Sequence, residues 1–389
     1  MRICVITLDF LPFRSSGLSV YAENLVLGLR ERGHQISVIA AQRTSGKLPV
    51  ESGASQLADQ VHRLRVGKLD WFALGLAASK WLMRNDHAFD VVHFTDLHFA
   101  FAYPRPCVAS AFHSFRQRMK SNRGLPYFVD FFDLSFKLAY YSFARLVAEP
   151  LALRHSKFIL MSSYTTMREF IENYHADPSR AAVVYPGISL EPLLVLPTKK
   201  DARRSLGLPV DRKILLFVGF GAPRKGLEYL LDSFELLHSD VVLLLVGHWN
   251  QRFLRRFKEK ATRKGLMDRI IMAGYVPDSQ KRLYYASADI FVFPSLLEGF
   301  GIPLVEAMAS GLPVVTTYGG AAAEIVGSAG ICVQPGDHLG LYEAIQSLLE
   351  DSNLRTTLSS AGVERATTLF DIRKMAQSVE EAYRRLGSR

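Results

Sequence analysis

Cysteine is scarce in this 389-residue chain, with Cys4, Cys107 and Cys332 far apart in sequence. Three such thiols form no disulfide framework and carry no metal-ligand spacing, which fits a reducing compartment. Long apolar runs are missing too: no segment approaches the ~20 residues that cross a bilayer. Residues 1–8 hold one arginine and a short apolar run before Asp9, a strand pattern and not a signal peptide. The expected location is therefore the cytoplasm. Acids are in the minority, 37 against 47 basic residues, for a formal net charge of +10. No nucleic-acid module accompanies that excess, so nucleic acid is not an expected partner. Two familiar phosphate-binding signatures are absent as well. In the run Val218-Gly-Phe-Gly-Ala-Pro-Arg-Lys-Gly226, Arg224 stands where a dinucleotide fingerprint needs glycine. A Walker A loop needs Gly-Lys-Ser/Thr, and here the order is Arg-Lys-Gly.

What is present is an alternation of strand and helix patterns in two halves. With 49% hydrophobic residues the chain can bury two cores of ordinary size. In the first half, strands are expected at 2–8, 35–40, 91–94, 107–112, 157–161 and 182–185. An amphipathic helix over 19–33 closes at Gly33, and 44–57 reads as a loop. A break with three prolines follows at 186–201. The second half expects strands at 213–218, 241–246, 270–273, 289–294 and 313–316, then three helices beyond Leu339. Such alternation argues for parallel sheets with right-handed crossovers.

The densest run is Glu298-Gly-Phe-Gly-Ile-Pro-Leu-Val-Glu306, between a strand and a helix expected over 303–310. Glu298 then lies at the carboxyl end of a strand and Glu306 about one turn into the helix. That crevice is where open α/β sheets bind ligands. The amides around Phe300, Gly301 and Ile302 would serve an anion at a helix start. An anion flanked by two carboxylates fits one long ligand whose ends carry hydroxyls, such as a nucleotide sugar. The plain alternative is that Glu298 caps the helix and Glu306 lies on a solvated face. After Gly219, Arg224 and Lys225 sit at another helix start, where the dipole disfavours cations unless an anion lies opposite.

Glu298…Glu306 with its flanks resembles the E-x7-E signature of the retaining, nucleotide-sugar-dependent glycosyltransferases of family four, which have the GT-B fold. The resemblance implies two Rossmann-like domains facing across a cleft: an acceptor-binding domain at 1–190 and a nucleotide-sugar-binding domain at 202–370. A helix at 371–389 would pack back on the first domain. It implies that Glu298 contacts the donor sugar and Glu306 the ribose hydroxyls. The loop after Gly219 resembles the family's diphosphate loop. Many members place an arginine directly after its glycine, where this chain has Phe220, so Arg224 and Lys225 must carry the charge. Gly17 matches a glycine that approaches the diphosphate, and Val276 sits where relatives hold the base through the main chain. His113 matches a histidine that touches the donor sugar, alongside the alternative of an ordinary polar strand end. His93, Asp96 and His98 have a metal-like spacing, but the family works without metal, so they read as strand-end polar residues. The segment Tyr185-Pro-Gly-Ile188 lacks the family's usual asparagine, which leaves its role open. Gly319, Gly320 and Glu324 resemble the family's continuation toward Pro335-Gly-Asp337.

The implied activity is hexosyl transfer, with retention, from a GDP- or UDP-sugar to a sugar, glycolipid or polysaccharide, without cofactor. Arg224, Lys225 and the helix amides would stabilise the leaving diphosphate. A glycoside hydrolase needs carboxyls ~5–9.5 Å apart across one bond. Eight helical residues would span ~12 Å, which suits different ends of a ligand. The alternatives are a nucleotide-sugar epimerase or hydrolase on the same fold, and a non-catalytic binding protein. Basic clusters at 97–129 and 252–264, the first beside aromatic-rich 127–147, admit peripheral docking on an anionic membrane face. They read equally as solvated faces around a core helix.

Overall fold

The computed structural model describes residues 1–11, 16–42, 57–66, 70–122 and 139–385. Ser15, Arg123, residues 44–56 and residues 127–138 lie outside that set. The chain divides into two compact units, Met1–Ile188 with Phe370–Arg389, and Ser189–Leu369. No described helix is long and apolar enough to cross a membrane.

The first unit is built on seven strands: β1 Arg2–Thr7, β2 Gln35–Gln42, β3 Gln60–Arg65, β4 Val91–Phe94, β5 Cys107–Ala111, β6 Ser156–Met161 and β7 Ala181–Val183. They form one sheet in the order β3-β2-β1-β4-β5-β6-β7, and every pairing is parallel. The inner strands are near-continuous apolar runs because helices cover both faces; Ile3 to Ile6 are fully buried. The order reverses between β1 and β4, the switch point of a doubly wound sheet. β3 was not expected. Its sequence, Gln-Val-His-Arg-Leu-Arg, lies half-exposed on the sheet edge, where a polar strand carries little hydrophobic signal.

The helix Ile372–Arg385 belongs to this unit and packs on the helix Gly17–Glu31. A Cβ at Gly28 would stand 2.9 Å from the Cβ of Ala376, so the glycine permits the close approach. Ile372, Met375, Val379 and Tyr383 are buried in the same cluster as Leu25 and Val26. The segment whose role was open proves to be the seat of this return. A Cβ at Gly187 would meet the Asp371 carbonyl at 2.7 Å. Ile188 and residues 370–372 exchange main-chain hydrogen bonds, Ile188 N to Phe370 O at 2.9 Å and Ile372 N to Ile188 O at 3.0 Å.

The second unit has six strands: β8 Lys213–Val218, β9 Val241–Val246, β10 Ile270–Gly274, β11 Ile290–Phe293, β12 Val314–Thr317 and β13 Gly330–Val333. Their order is β10-β9-β8-β11-β12-β13, again all parallel, with the reversal between β8 and β11. β13, four half-buried residues at an edge, was also not expected. The second basic cluster lies on the helix Gln251–Arg263, whose Phe253, Phe257 and Ala261 face the core. Its neighbourhood is partly neutralised: Lys260 and Lys264 pair with Asp232 at 2.8 and 3.1 Å, and Arg255 pairs with Glu259 at 3.5 Å. In the first cluster Arg105 is taken up by Asp86.

Candidate functional site

The ends of β8 and β11 lie side by side at the switch point of the second unit, and their loops are fastened to each other. Gly226 has a left-handed backbone (φ +69), and a Cβ there would fall 1.9 Å from the Pro294 carbonyl oxygen. Leu296 N donates to Arg224 O at 2.7 Å. This seating drives Lys225, at the end of the short turn Pro223–Lys225, into the interior. Its Nζ donates to Glu298 Oε2 at 2.5 Å and lies 4.4 Å from the Phe293 ring centroid. Arg224 reaches the same carboxylate oxygen at 3.7 Å, donates to Leu297 O at 3.2 Å, and flanks the Phe220 ring. Phe220, where an arginine was looked for, is therefore a ring face against which both cations stand.

Burial lowers the Lys225 ammonium to about 8; Glu298 opposes the shift and Arg224 adds to it. For Glu298 burial acts upward, but the attraction of Lys225 and then Arg224 outweighs it, so the carboxyl titrates below its ordinary range. At neutral pH the group is a cation–carboxylate–cation cluster with one net positive charge. An electropositive cluster at a switch point is suited to a diphosphate.

The main chain of Glu298 is held from the other side by the loop after β12. Glu298 N donates to Gly319 O at 3.1 Å and Ala321 N to Glu298 O at 2.9 Å. A Cβ at Gly320 (φ +68) would come within 2.2 Å of the Glu298 carbonyl oxygen, so only glycine fits there. The helix that follows runs Ile302–Ala309, with Gly301 (φ +97) at its N-cap, Pro303 in its first turn and no side-chain cap. Phe300 and Ile302 bury their side chains, so what they offer a ligand is main chain. The alternative that Glu298 caps this helix is not met: its carboxylate is engaged by Lys225.

Glu306 has separate partners. Lys281 Nζ donates to its Oε1 at 2.6 Å and Tyr285 OH to its Oε2 at 2.6 Å. Lys281 also meets Asp278 at 2.9 Å. Lys281 and Tyr285 are four apart on the helix Asp278–Ser287 and so share one face. They were not singled out in the sequence, where an i, i+4 pair on an amphipathic helix carries no distinguishing signal. Because Glu298 precedes the helix, the eight-residue helical span does not describe its distance from Glu306. Val276 is buried just after Gly274 (φ +70), in the turn that starts the helix Asp278–Ser287. Gly219 follows β8 directly; its N–H donates to Val246 O, and its carbonyl accepts from Trp249 Nε1 at 3.1 Å.

In the first unit Gly17 is the first residue of the helix Gly17–Glu31, behind an extended Ser16 that makes no side-chain cap. His113 stands two residues past β5, its ring 6.5 Å from that of His98. Of the three residues with metal-like spacing, Asp96 and His98 meet, and His93 has other partners. His93 bonds Tyr383 OH at 2.6 Å and Ser110 Oγ at 2.8 Å, inside the core. His98 turns both nitrogens to carboxylates, Nδ1 to Asp96 Oδ1 at 2.5 Å and Nε2 to Glu149 Oε1 at 2.8 Å. Burial alone would lower the His98 ring, but the two carboxylates outweigh it and hold it up to about 9. Glu149, fully buried, also accepts from Phe115 N at 2.7 Å and from Tyr174 OH. Its part was illegible in the sequence, since only folding brings residues 96, 115, 149 and 174 together.

Two family models match the chain, Glycosyltransferase Family 4 over residues 15–192 and Glycosyl transferases group 1 over residues 198–365. A D-inositol 3-phosphate glycosyltransferase of Thermobispora bispora is 31% identical over 251 residues, 61% of this chain and 58% of that protein. The chain thus spans about three fifths of that relative's length. Among solved structures, sucrose-phosphate synthase from Thermosynechococcus elongatus superposes with a TM-score of 0.82 at 22% identity, over 99% of this chain and 98% of that one. An Anabaena protein, HepE, in complex with UDP-glucose gives 0.76 at 20% identity, over 99% and 100%. These two likenesses establish the fold, which is GT-B.

Proposed function

The chain belongs to the family-four, group 1 glycosyltransferases, and from that premise we propose that it transfers a hexose from a nucleotide-sugar donor to a sugar, glycolipid or polysaccharide acceptor, with retention of anomeric configuration. The observation that carries the reading is the Arg224–Glu298–Lys225 cluster at the switch point of the second unit. Arg224 and Lys225 neutralise the donor diphosphate, helped by the main chain of Phe300, Gly301 and Ile302 at the uncapped helix start. Glu298, fixed by Lys225 and by the Gly319–Gly320 turn, accepts from donor-sugar hydroxyls. Glu306, oriented by Lys281 and Tyr285, accepts from the ribose, and the main chain of Val276 holds the base. Gly219 lets the chain approach the diphosphate. Gly17 and His113 keep the roles that the family resemblance implies for them.

In the transfer step the acceptor oxygen bonds to the anomeric carbon as the bond from that carbon to the diphosphate oxygen breaks. The acceptor proton passes to the departing diphosphate, on the same face. No carboxylate nucleophile is needed, in keeping with a Glu298 already paired to a cation. The reading calls on no cofactor or metal. The HepE complex makes UDP-sugars the first donors to try, and GDP-sugars remain the second class. A location on the cytoplasmic side, at a membrane face where the acceptor is a glycolipid, belongs to the same proposal.

Calorimetric titration with UDP- and GDP-sugars tests it. Micromolar binding of one class is expected, abolished in Lys225→Ala and Glu306→Ala. A folded sample that binds neither class, with or without acceptors, would leave a non-catalytic binding protein. Turnover of donor that yields no product on an added acceptor would instead indicate an epimerase or hydrolase.

A further inference from the structure

A surface helix ordinarily turns its apolar stripe inward. The helix over residues 139–155 buries an apolar side and also keeps large apolar side chains outside. Its inward face is Ala144, Ala148, Glu149 and Ala152, all fully buried, while Phe143 (38% exposed), Leu146 (67%), Val147 (40%) and Leu151 (36%) look outward. The local cause is a π-turn over Ala144–Ala148, just ahead of Pro150, which has no N–H to donate. The wider turn lets Ala144, Ala148 and Glu149 all face in and leaves Leu146 and Val147 outside. The orientation is pinned, because Glu149 bonds His98, Phe115 N and Tyr174. Rolling the helix to hide its apolar face would withdraw a buried carboxylate from all three.

The patch extends onto a second helix. Phe72 packs against Phe143 with ring centroids 5.4 Å apart, and Leu76, one turn further along Asp70–Asn85, is 47% exposed. The surrounding charge is mainly basic, although Asp70 opens the second helix. Residues 139–161 carry Arg145, Arg154 and Lys157, and their sole acid is the buried Glu149. The neighbouring helix Phe115–Asn122 carries Arg116 and Arg118 and no acid. A two-fold contact with a second copy of this chain would set these cations against their own images. An apolar face rimmed by cations instead matches the interface of an anionic bilayer, with the chains taking the hydrophobes and the headgroups the cations. We propose that this face, centred on Leu146 and Val147, docks the protein peripherally on anionic lipid. This face is the surface behind the membrane-face location proposed above, and flotation tests it without any turnover by the second unit.

The test is flotation of the whole chain with phosphatidylcholine vesicles, with or without about a third phosphatidylglycerol. The wild-type protein should float with the anionic vesicles and be released at ~1 M salt, where the Debye length shrinks to about 3 Å. Leu146→Ser with Val147→Ser should weaken binding about tenfold or more, with circular dichroism unchanged. Arg145→Glu with Arg154→Glu should abolish the preference for anionic lipid. Flotation that both double variants retain, or no flotation at all, would overturn the proposal. So would light scattering that shows a dimer which Leu146→Ser with Val147→Ser converts to a monomer, since a second copy would then cover the face.

Discussion

Replacing Lys225 by methionine would measure what the ion pair at the β8–β11 ends contributes. Methionine keeps the length and apolar stem that lie against Phe293 and removes only the ammonium. Glu298 would keep Arg224 at 3.7 Å and Ser295 Oγ at 3.4 Å, both longer than the 2.5 Å bond it loses. Breaking a buried pair from one side costs about 3–5 kcal/mol, and the residual partners place this site near the lower figure. For a unit of this size each kcal/mol moves the melting temperature by about 2–4 °C, so a fall of about 6–12 °C is expected. The loss should have a pH signature. Without Lys225, burial pushes the Glu298 carboxyl upward, and the folded state gains a proton that the unfolded chain does not yet hold. The deficit should therefore shrink as pH falls toward about 4–5. Lys225→Met with Glu298→Gln, which removes the stranded charge, should recover most of the lost stability. Differential scanning calorimetry at several pH values is the assay. A single variant melting within about 2 °C of wild type, with no pH dependence and no rescue, would refute the argument.

Two further predictions concern protons. The Lys225 ammonium titrates at about 8 in the free protein, so diphosphate binding should weaken above that pH and be accompanied by proton uptake. Calorimetry of UDP binding in buffers of different ionisation enthalpy reads the uptake directly, and equal heats in both would count against Lys225 as the diphosphate ligand. His98 is raised to about 9 from an ordinary 6.5, so its stabilising share is complete below about pH 6.5 and lost as pH rises through 9. That shift corresponds to about 3 kcal/mol. Urea unfolding at pH 6, 7.5 and 9 should show this decline in the wild type but not in His98→Gln; identical slopes would contradict the imidazolium assignment.

The strands that matter most to the site were legible because they are buried on both faces. β8 from Ile214 on, β9 and β11 are uninterrupted apolar runs, and such runs between helical patterns have few other readings. The edge strands β3 and β13 escaped for the opposite reason: half-exposed and short, they take their structure from a neighbour's hydrogen bonds. At the site, Glu298, Glu306, Arg224 and Lys225 stood out by spacing and by the oddity of cations at a helix start. Their partners did not, since Lys281 and Tyr285 look like any residues of an amphipathic helix until they meet Glu306. The aromatic segment at 127–147 divided the same way. Its composition admitted a core helix or an exposed one, and the described part is both: Tyr140 packs on Trp71 while Leu146 stands clear.

Sequence alone thus determined the alternation of strand and helix, the glycine-rich turns and the charges at two helix starts, because these depend on local pattern and on residues close in the chain. Tertiary structure decided the rest. Strand order brings β8 beside β11 across more than 70 residues and so makes one cluster of Lys225 and Glu298. It also gathers Asp96, His98 and Glu149, and it turns an apolar stripe outward to keep a carboxylate bonded within. Long-range pairing of buried charges leaves no local trace, since each partner is an ordinary residue until burial removes the water that would otherwise solvate it.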